Sequence, residues 1–198
     1  RKHGDEGVNR LLHGHDAIIV PGGFDVRGVA GKVLAAGWCR NSRTPFLGIC
    51  LGLQCAVIEF ARNMCGITDA DSEEFGKGKF TPVIHEVPID RPGGRMAGTL
   101  RLGSFDAQLV PGSLAHRLYR KKNVSERHRH RYEVNAEHLG VLAEKGMQVS
   151  GVNPSTGLVE YMEIAGHPFF LGCQGHPEFK SRLGSPNPCF RGLVAAGK

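Results

Sequence analysis

The 198-residue chain contains no apolar run approaching the roughly 18–20 residues that cross a bilayer, so no membrane segment is expected. Its first residues are charged and polar, without the apolar core of a signal peptide. The six cysteines, Cys39, Cys50, Cys55, Cys65, Cys173 and Cys189, include no Cys-x-x-Cys pair. That spacing argues against a zinc ribbon or a thioredoxin-type site, and no bound metal is expected. With no secretory signal and enough length for a core, reduced thiols in a cytoplasmic protein are the natural reading. No glycine-rich loop ends in Lys-Ser/Thr, which removes the usual cradle for nucleotide phosphates. Internal repeats and low-complexity stretches are also missing, so 1–198 reads as a single domain.

What remains is an ordinary globular composition, 40% hydrophobic and 22% charged. The net charge of +6 could attract anions. It is dispersed except at Arg127–Arg131, and nucleic-acid binding is not expected.

Short apolar runs ending in glycine-rich turns set the organisation. Asp16–Val20 reads as a strand stopped by Pro21-Gly22-Gly23, and Gly28–Arg40 reads as a helix. Phe46–Ile49 is a buried strand, and Leu51–Met64 has an amphipathic helical pattern. Strand, helix, strand, helix at this spacing predicts a βαβ unit. The expected fold is α/β, an open, mostly parallel sheet with flanking helices. Residues 80–87 read as extended, 91–103 as Gly- and Arg-rich, and 127–135 as polar with Tyr132 and Val134 alternating. These suggest short strands and loops laid over the sheet. Met147–Val152, Val159–Ile164 and Phe169–Gln174 read as three strands, followed by a docked helix at Phe190–Ala196. Residues 1–15 are too few for the strand and helix that would normally precede them, so the chain is expected to be part of a larger enzyme.

The sharpest chemical signal is Gly48-Ile49-Cys50-Leu51-Gly52. A strand enters Cys50, a helix leaves it, and glycines stand two residues to either side, as in a nucleophile elbow with cysteine for serine. The tight turn would project the sulfur, and the helix end is expected to lower its pKa. The alternative for an isolated motif is a buried structural cysteine. A late strand runs into Gly175-His176-Pro177-Glu178. His176 could take the thiol proton, and Glu178 could accept the other imidazole N–H and fix the tautomer. Val20-Pro21-Gly22-Gly23-Phe24 places paired glycines at a strand end, so the N–H groups of Gly23 and Leu51 are candidates for an oxyanion hole.

Pro-Gly-Gly-Phe, Gly-Ile-Cys-Leu-Gly and His-Pro-Glu in this order resemble the class I glutamine amidotransferases. Finer matches resemble the CTP synthase family within them: Leu47–Gln54 with Glu59–Asn63, Asp69–Ser72 with Glu74-Phe75, Gly98–Gly103, Glu126–Asn135, His167–Phe170, and the tail around Ser181-Arg182 and Pro186–Pro188. The resemblance implies a flavodoxin-like sheet and a Cys50, His176, Glu178 triad. It also implies a glutamine site at Gly23, Leu51, Gln54, Glu74, Arg131 and Tyr132. There Glu74 would hold the substrate α-ammonium and Arg131 its α-carboxylate. It further implies L-glutamine as substrate, a synthetase domain as partner, and a homotetramer for the full enzyme. No cofactor is implied for this domain, while the full enzyme would use ATP and Mg2+ to aminate UTP, with GTP as activator. Arg27 and Gly28 match a loop linked to GTP activation, but Ala30 stands where that loop carries glutamate. Gly175 replaces a residue that is commonly aromatic, and the pocket wall is expected to be looser there. Two other classes stay open on the residues alone: another cysteine hydrolase on the same sheet, such as a γ-glutamyl hydrolase or peptidase relative, and a non-enzymatic nucleotide-binding module.

Overall fold

The computed structural model describes residues 2–24, 26–86 and 100–197. In chain order the elements are α1 (Lys2–Leu12), β1 (Ile18–Val20), α2 (Val29–Ser42), β2 (Phe46–Ile49), α3 (Leu51–Asn63), β3 (Ala70–Ser72), β4 (Thr81–Glu86), β5 (Arg101–Leu109), α4 (Leu114–Tyr119), β6 (Asn123–His130), β7 (Tyr132–Val134), α5 (Leu139–Glu144), β8 (Met147–Val152), β9 (Val159–Ile164), β10 (Phe170–Cys173) and α6 (Pro188–Ala196). The Gly- and Arg-rich stretch lies outside the described residues over 91–99. So do Val87 and, from the family motif, Gly98 and Thr99.

A seven-stranded sheet runs β1-β2-β10-β9-β8-β5-β6. β1 pairs with β2 in parallel, and β2 with β10. The remaining pairings are antiparallel. Within this sheet, parallel order is therefore confined to the three strands that carry the sequence motifs. The segment expected to lie over the sheet instead joins it, since β5 and β6 pair along eight positions, from Arg101↔His130 to Gln108↔Asn123. The reason this was not legible is that most of their buried positions are polar, Ala107 and Leu109 of β5 excepted. Arg101, Glu126, His128 and His130 are each at most 4% exposed, so no apolar alternation marks the strands. A smaller sheet, β3-β4-β7, packs beside α3.

Phe46, Leu47, Phe170 and Leu171 are fully buried, as expected of central strands covered on both faces. Phe46 and Phe170 face each other in register with stacked rings, centroids 4.4 Å apart. One core lies between the sheet and α2 and α3, and the other gathers residues of α4 and α6 on the opposite face. Among the described residues, no helix is long and apolar enough to cross a membrane.

Candidate active site

The three parallel strands end side by side, and each end delivers one motif. β1 runs into Pro21-Gly22-Gly23, β2 into Cys50, and β10 into Gln174-Gly175-His176. This is the carboxyl edge of the parallel strands, where open α/β sheets place their ligands. The ladder continues one step past β2, because the Cys50 N–H donates to the carbonyl of Cys173 at the end of β10 at 2.7 Å.

Cys50 occupies the turn between β2 and α3 with φ 51° and ψ −107°, a conformation that L-residues rarely adopt. The glycines around it are required by contact. A Cβ on Gly48 would stand 2.7 Å from the Gly52 carbonyl, and one on Gly52 would stand 2.1 Å from the Val20 oxygen. A side chain at either position would push strand and helix apart, so the elbow can form only with glycine there.

His176 and Cys50 share one wall. A Cβ on Gly22 would meet His176 Cε1 at 2.8 Å and Cys50 Cβ at 3.5 Å. His176 Nδ1 lies 2.6 Å from Glu178 Oε1, while Nε2 is buried with no hydrogen-bond partner among the described residues. The backbone holds the ring in place as well, because the His176 N–H donates to the Arg127 carbonyl of β6 at 2.7 Å. Phe179 stacks on the imidazole, centroids 5.1 Å apart. Burial raises the Glu178 carboxyl, but the hydrogen bond and charge of His176 outweigh it and hold the group below its usual range.

The sulfur departs from the sequence-based expectation. Cys50 is 3% exposed, and burial pushes its thiol up to about 12. The Leu51 N–H at the start of α3 acts in the other direction but is outweighed. The carboxylates of Glu133, Glu74 and Glu178 add to the rise. The sulfur is therefore held as a thiol.

A cavity of about 490 Å³ opens above Cys50. It is lined by five residues of the implied glutamine site: Gly23, Gln54, Glu74, Arg131 and Tyr132. Phe24 and Leu102, both more than half exposed, stand at its mouth. Leu51, His176 and Glu178 are not among the lining residues. Gln54 is 2% exposed, and its Nε2 donates to the Tyr132 carbonyl at 2.8 Å, so it joins α3 to β7. The Glu74 N–H is held by the Ser72 hydroxyl at 3.1 Å in the turn after β3. Arg27 is exposed, and Gly28 caps α2 at φ 78°.

Gly175 does not loosen the wall. A Cβ there would meet Glu126 Cβ at 2.8 Å and His128 Cε1 at 3.1 Å, so β6 already fills the space that an aromatic would need.

Residue patterns had no means of finding several neighbours. Lys32 of α2 reaches back to the Pro21 carbonyl at 3.3 Å and steadies the glycine loop. Arg129 sits over the Phe24 ring, 5.2 Å from its centroid, and lines the cavity. His130 also lines it, and it belongs to a buried set with Arg101, His128, Glu133 and Glu160. The run of charges from Arg127 to Glu133 is the only visible signal, and it reads equally well as a solvated face. Among the described residues, no cluster of three or more His, Cys, Asp or Glu is arranged to hold a metal. All six cysteines are unpaired thiols.

Comparison with known proteins places the chain in a family. The family model described as glutamine amidotransferase class-I matches residues 3–196. The chain is 52% identical to a CTP synthase of Synechococcus sp. (strain WH7803) over 194 residues, covering 98% of this chain and 36% of that protein. It is 50% identical to a CTP synthase of Prochlorococcus marinus (strain MIT 9313), covering 97% of this chain and 34% of that protein. The chain thus spans about a third of the length of these curated relatives. The glutaminase domain of Trypanosoma brucei CTPS, solved with bound acivicin, superposes with a TM-score of 0.89 at 41% identity, covering 98% of this chain and 74% of that one.

Proposed function

The chain belongs to the class I glutamine amidotransferase family, and from that membership we propose that it is the glutaminase domain of a glutamine-hydrolysing CTP synthase, a ligase that forms a C–N bond. The observation that carries the reading is that Cys50 and His176 both flank Gly22, with Cys50 lining a cavity that Glu74 and Arg131 also line.

Glutamine enters with its α-ammonium toward Glu74, its α-carboxylate toward Arg131, and its side-chain amide over Cys50. His176 Nε2 takes the thiol proton as the sulfur attacks the amide carbon. The carbonyl π pair moves onto oxygen, where the N–H groups of Gly23 and Leu51 receive it. Collapse breaks the C–N bond, and His176 returns its proton to the leaving nitrogen, which departs as ammonia. Water then gives a proton to His176 and attacks the thioester. The sulfur leaves, regains the proton, and glutamate is released. Glu178 keeps the imidazole in the tautomer that makes Nε2 the acceptor.

The ammonia would pass to a synthetase domain that aminates UTP with ATP and Mg2+, in a cytoplasmic homotetramer. GTP would act as activator, with Arg27 and Gly28 in the responding loop. This domain itself needs no cofactor for the steps above. The test is mass spectrometry of the protein at its natural length after exposure to a glutamine-mimicking chloroketone. One adduct on Cys50, blocked by glutamine, is expected, together with ammonia release that Cys50→Ala abolishes. Labelling elsewhere, or ammonia release that survives Cys50→Ala, would refute the reading.

A further inference from the structure

One residue joins the two sheets at the rim of the cavity. The chain leaves β6 at His130, passes Arg131, and enters β7 at Tyr132. The junction is bridged by side chains beneath it. His130 Nε2 lies 2.8 Å from Glu133 Oε1, and the same oxygen accepts from Arg101 Nη1 at 3.0 Å. Arg101 stands directly opposite His130 in the β5–β6 ladder. Its other terminal nitrogen donates to Glu160 on β9, whose second oxygen is 2.6 Å from His128 Nε2. All five residues are at most 3% exposed.

Such a cluster is expensive to bury, and apolar side chains of similar volume could fill the space at lower cost. What the charges add is direction. A guanidinium fork fixes two carboxylates in angle as well as distance. One of them, Glu133, stands two residues beyond Arg131, and His130 stands immediately before it. The cluster therefore grips the chain on both sides of Arg131 and anchors it to the sheet that carries Cys50.

We infer that Arg101, Glu133 and His130 form a clamp that aims Arg131, and that through Arg131 the clamp sets how tightly the substrate α-carboxylate is held. These three are positioning residues, since the proposed contact with substrate is made by Arg131. The inference rests on the glutaminase reading.

The test is a double-mutant cycle on steady-state glutamine hydrolysis, in the protein at its natural length. Glu133→Gln keeps the shape and removes the charge. With Arg131 present it is expected to raise KM about tenfold and to leave kcat within about threefold, the size typical of losing an outer-shell partner. In an Arg131→Ala background the same change is expected to alter KM less than about twofold, because a clamp with nothing to aim has no effect. Arg101→Lys, which keeps a positive charge but loses the fork, provides a second variant with the same expected pattern. A tenfold rise in both backgrounds would overturn the inference, because the effect would then bypass Arg131. So would an unchanged KM, or a fall in kcat alone. If the unmodified protein releases no ammonia, the glutaminase reading itself has failed and the clamp falls with it.

Discussion

His176 Nδ1 stands 2.6 Å from Glu178 Oε1 across a 3-10 turn, and the opposite ring nitrogen has no hydrogen-bond partner among the described residues. In the proposed mechanism the pair fixes which nitrogen takes the proton. Glu178→Gln can still hold the ring but supplies no charge for the imidazolium that forms, so kcat for glutamine hydrolysis should fall about ten- to a hundredfold with KM little changed. The depressed carboxyl also gives a stability signature. A carboxylate held low contributes stability that is present above the ordinary value of 4.5 and is lost as pH falls through its folded value. The difference in melting temperature between parent and variant should therefore shrink as pH drops below 4.5, as scanning calorimetry would show.

The buried thiol predicts slow chemistry in the empty site. With its pKa pushed up to about 12, Cys50 is neutral at physiological pH. Iodoacetamide labelling of the resting protein should accelerate about tenfold per pH unit above neutrality, because thiolate is the reacting form. Following the Cys50 peptide by mass spectrometry from about pH 7 to 10 checks this. A plateau near pH 8 would mean that the sulfur is already ionised beside His176. The same linkage makes Cys50 a source of stability below the ordinary thiol value of 9.0 that is lost as pH climbs toward 12.

Backbone strain at the elbow should be measurable without activity. At φ 51° and ψ −107°, any side chain is held in an unfavourable conformation. Cys50→Gly and Cys50→Ala both remove the sulfur, but only glycine relaxes the backbone. Denaturant titration should find the glycine variant more stable than the alanine variant by about 1 kcal/mol, after the greater freedom of the unfolded glycine chain is allowed for. Equal stabilities would show that the turn is unstrained.

The proposed function gives Glu74, which lines the cavity, a role in recognition rather than bond making. Replacing it with glutamine removes the charge facing the substrate ammonium, and KM for glutamine should rise about ten- to a hundredfold with kcat largely kept, as for the loss of one charge-assisted contact. Initial-rate measurements over a wide range of glutamine concentrations decide it. A collapse of kcat at unchanged KM would assign Glu74 to the chemistry instead.

The parts legible in the sequence were those in which local chain chemistry fixes local geometry. The elbow at Cys50, the glycine loop at Gly22-Gly23, and the strands Met147–Val152 and Val159–Ile164 all stand where spacing and turn residues placed them. Gln54 and Glu74 were accessible only through resemblance, since nothing near them in sequence says that they face one cavity. The long strands β5 and β6 were missed because their inward face carries Arg101, His128 and His130, and a polar core has no hydrophobic period to detect. The rise in the thiol pKa was missed for a related reason. The helix end at Leu51 can be read from sequence, whereas burial depends on the whole fold and here exceeds it. Gly175 was misjudged because the space beside it belongs to Glu126 and His128, nearly fifty residues earlier in the chain.

Gly52 lies so close to Val20 that not one carbon atom could be inserted between them. The end of β1 and the start of α3 consequently touch backbone to backbone, beside the two N–H groups proposed to receive the oxyanion. Any signal that turns such a site on or off must act beyond that contact, on the aromatic rim at Phe24 or on the strands behind His176, because re-aiming the sulfur would mean separating two backbones already in contact.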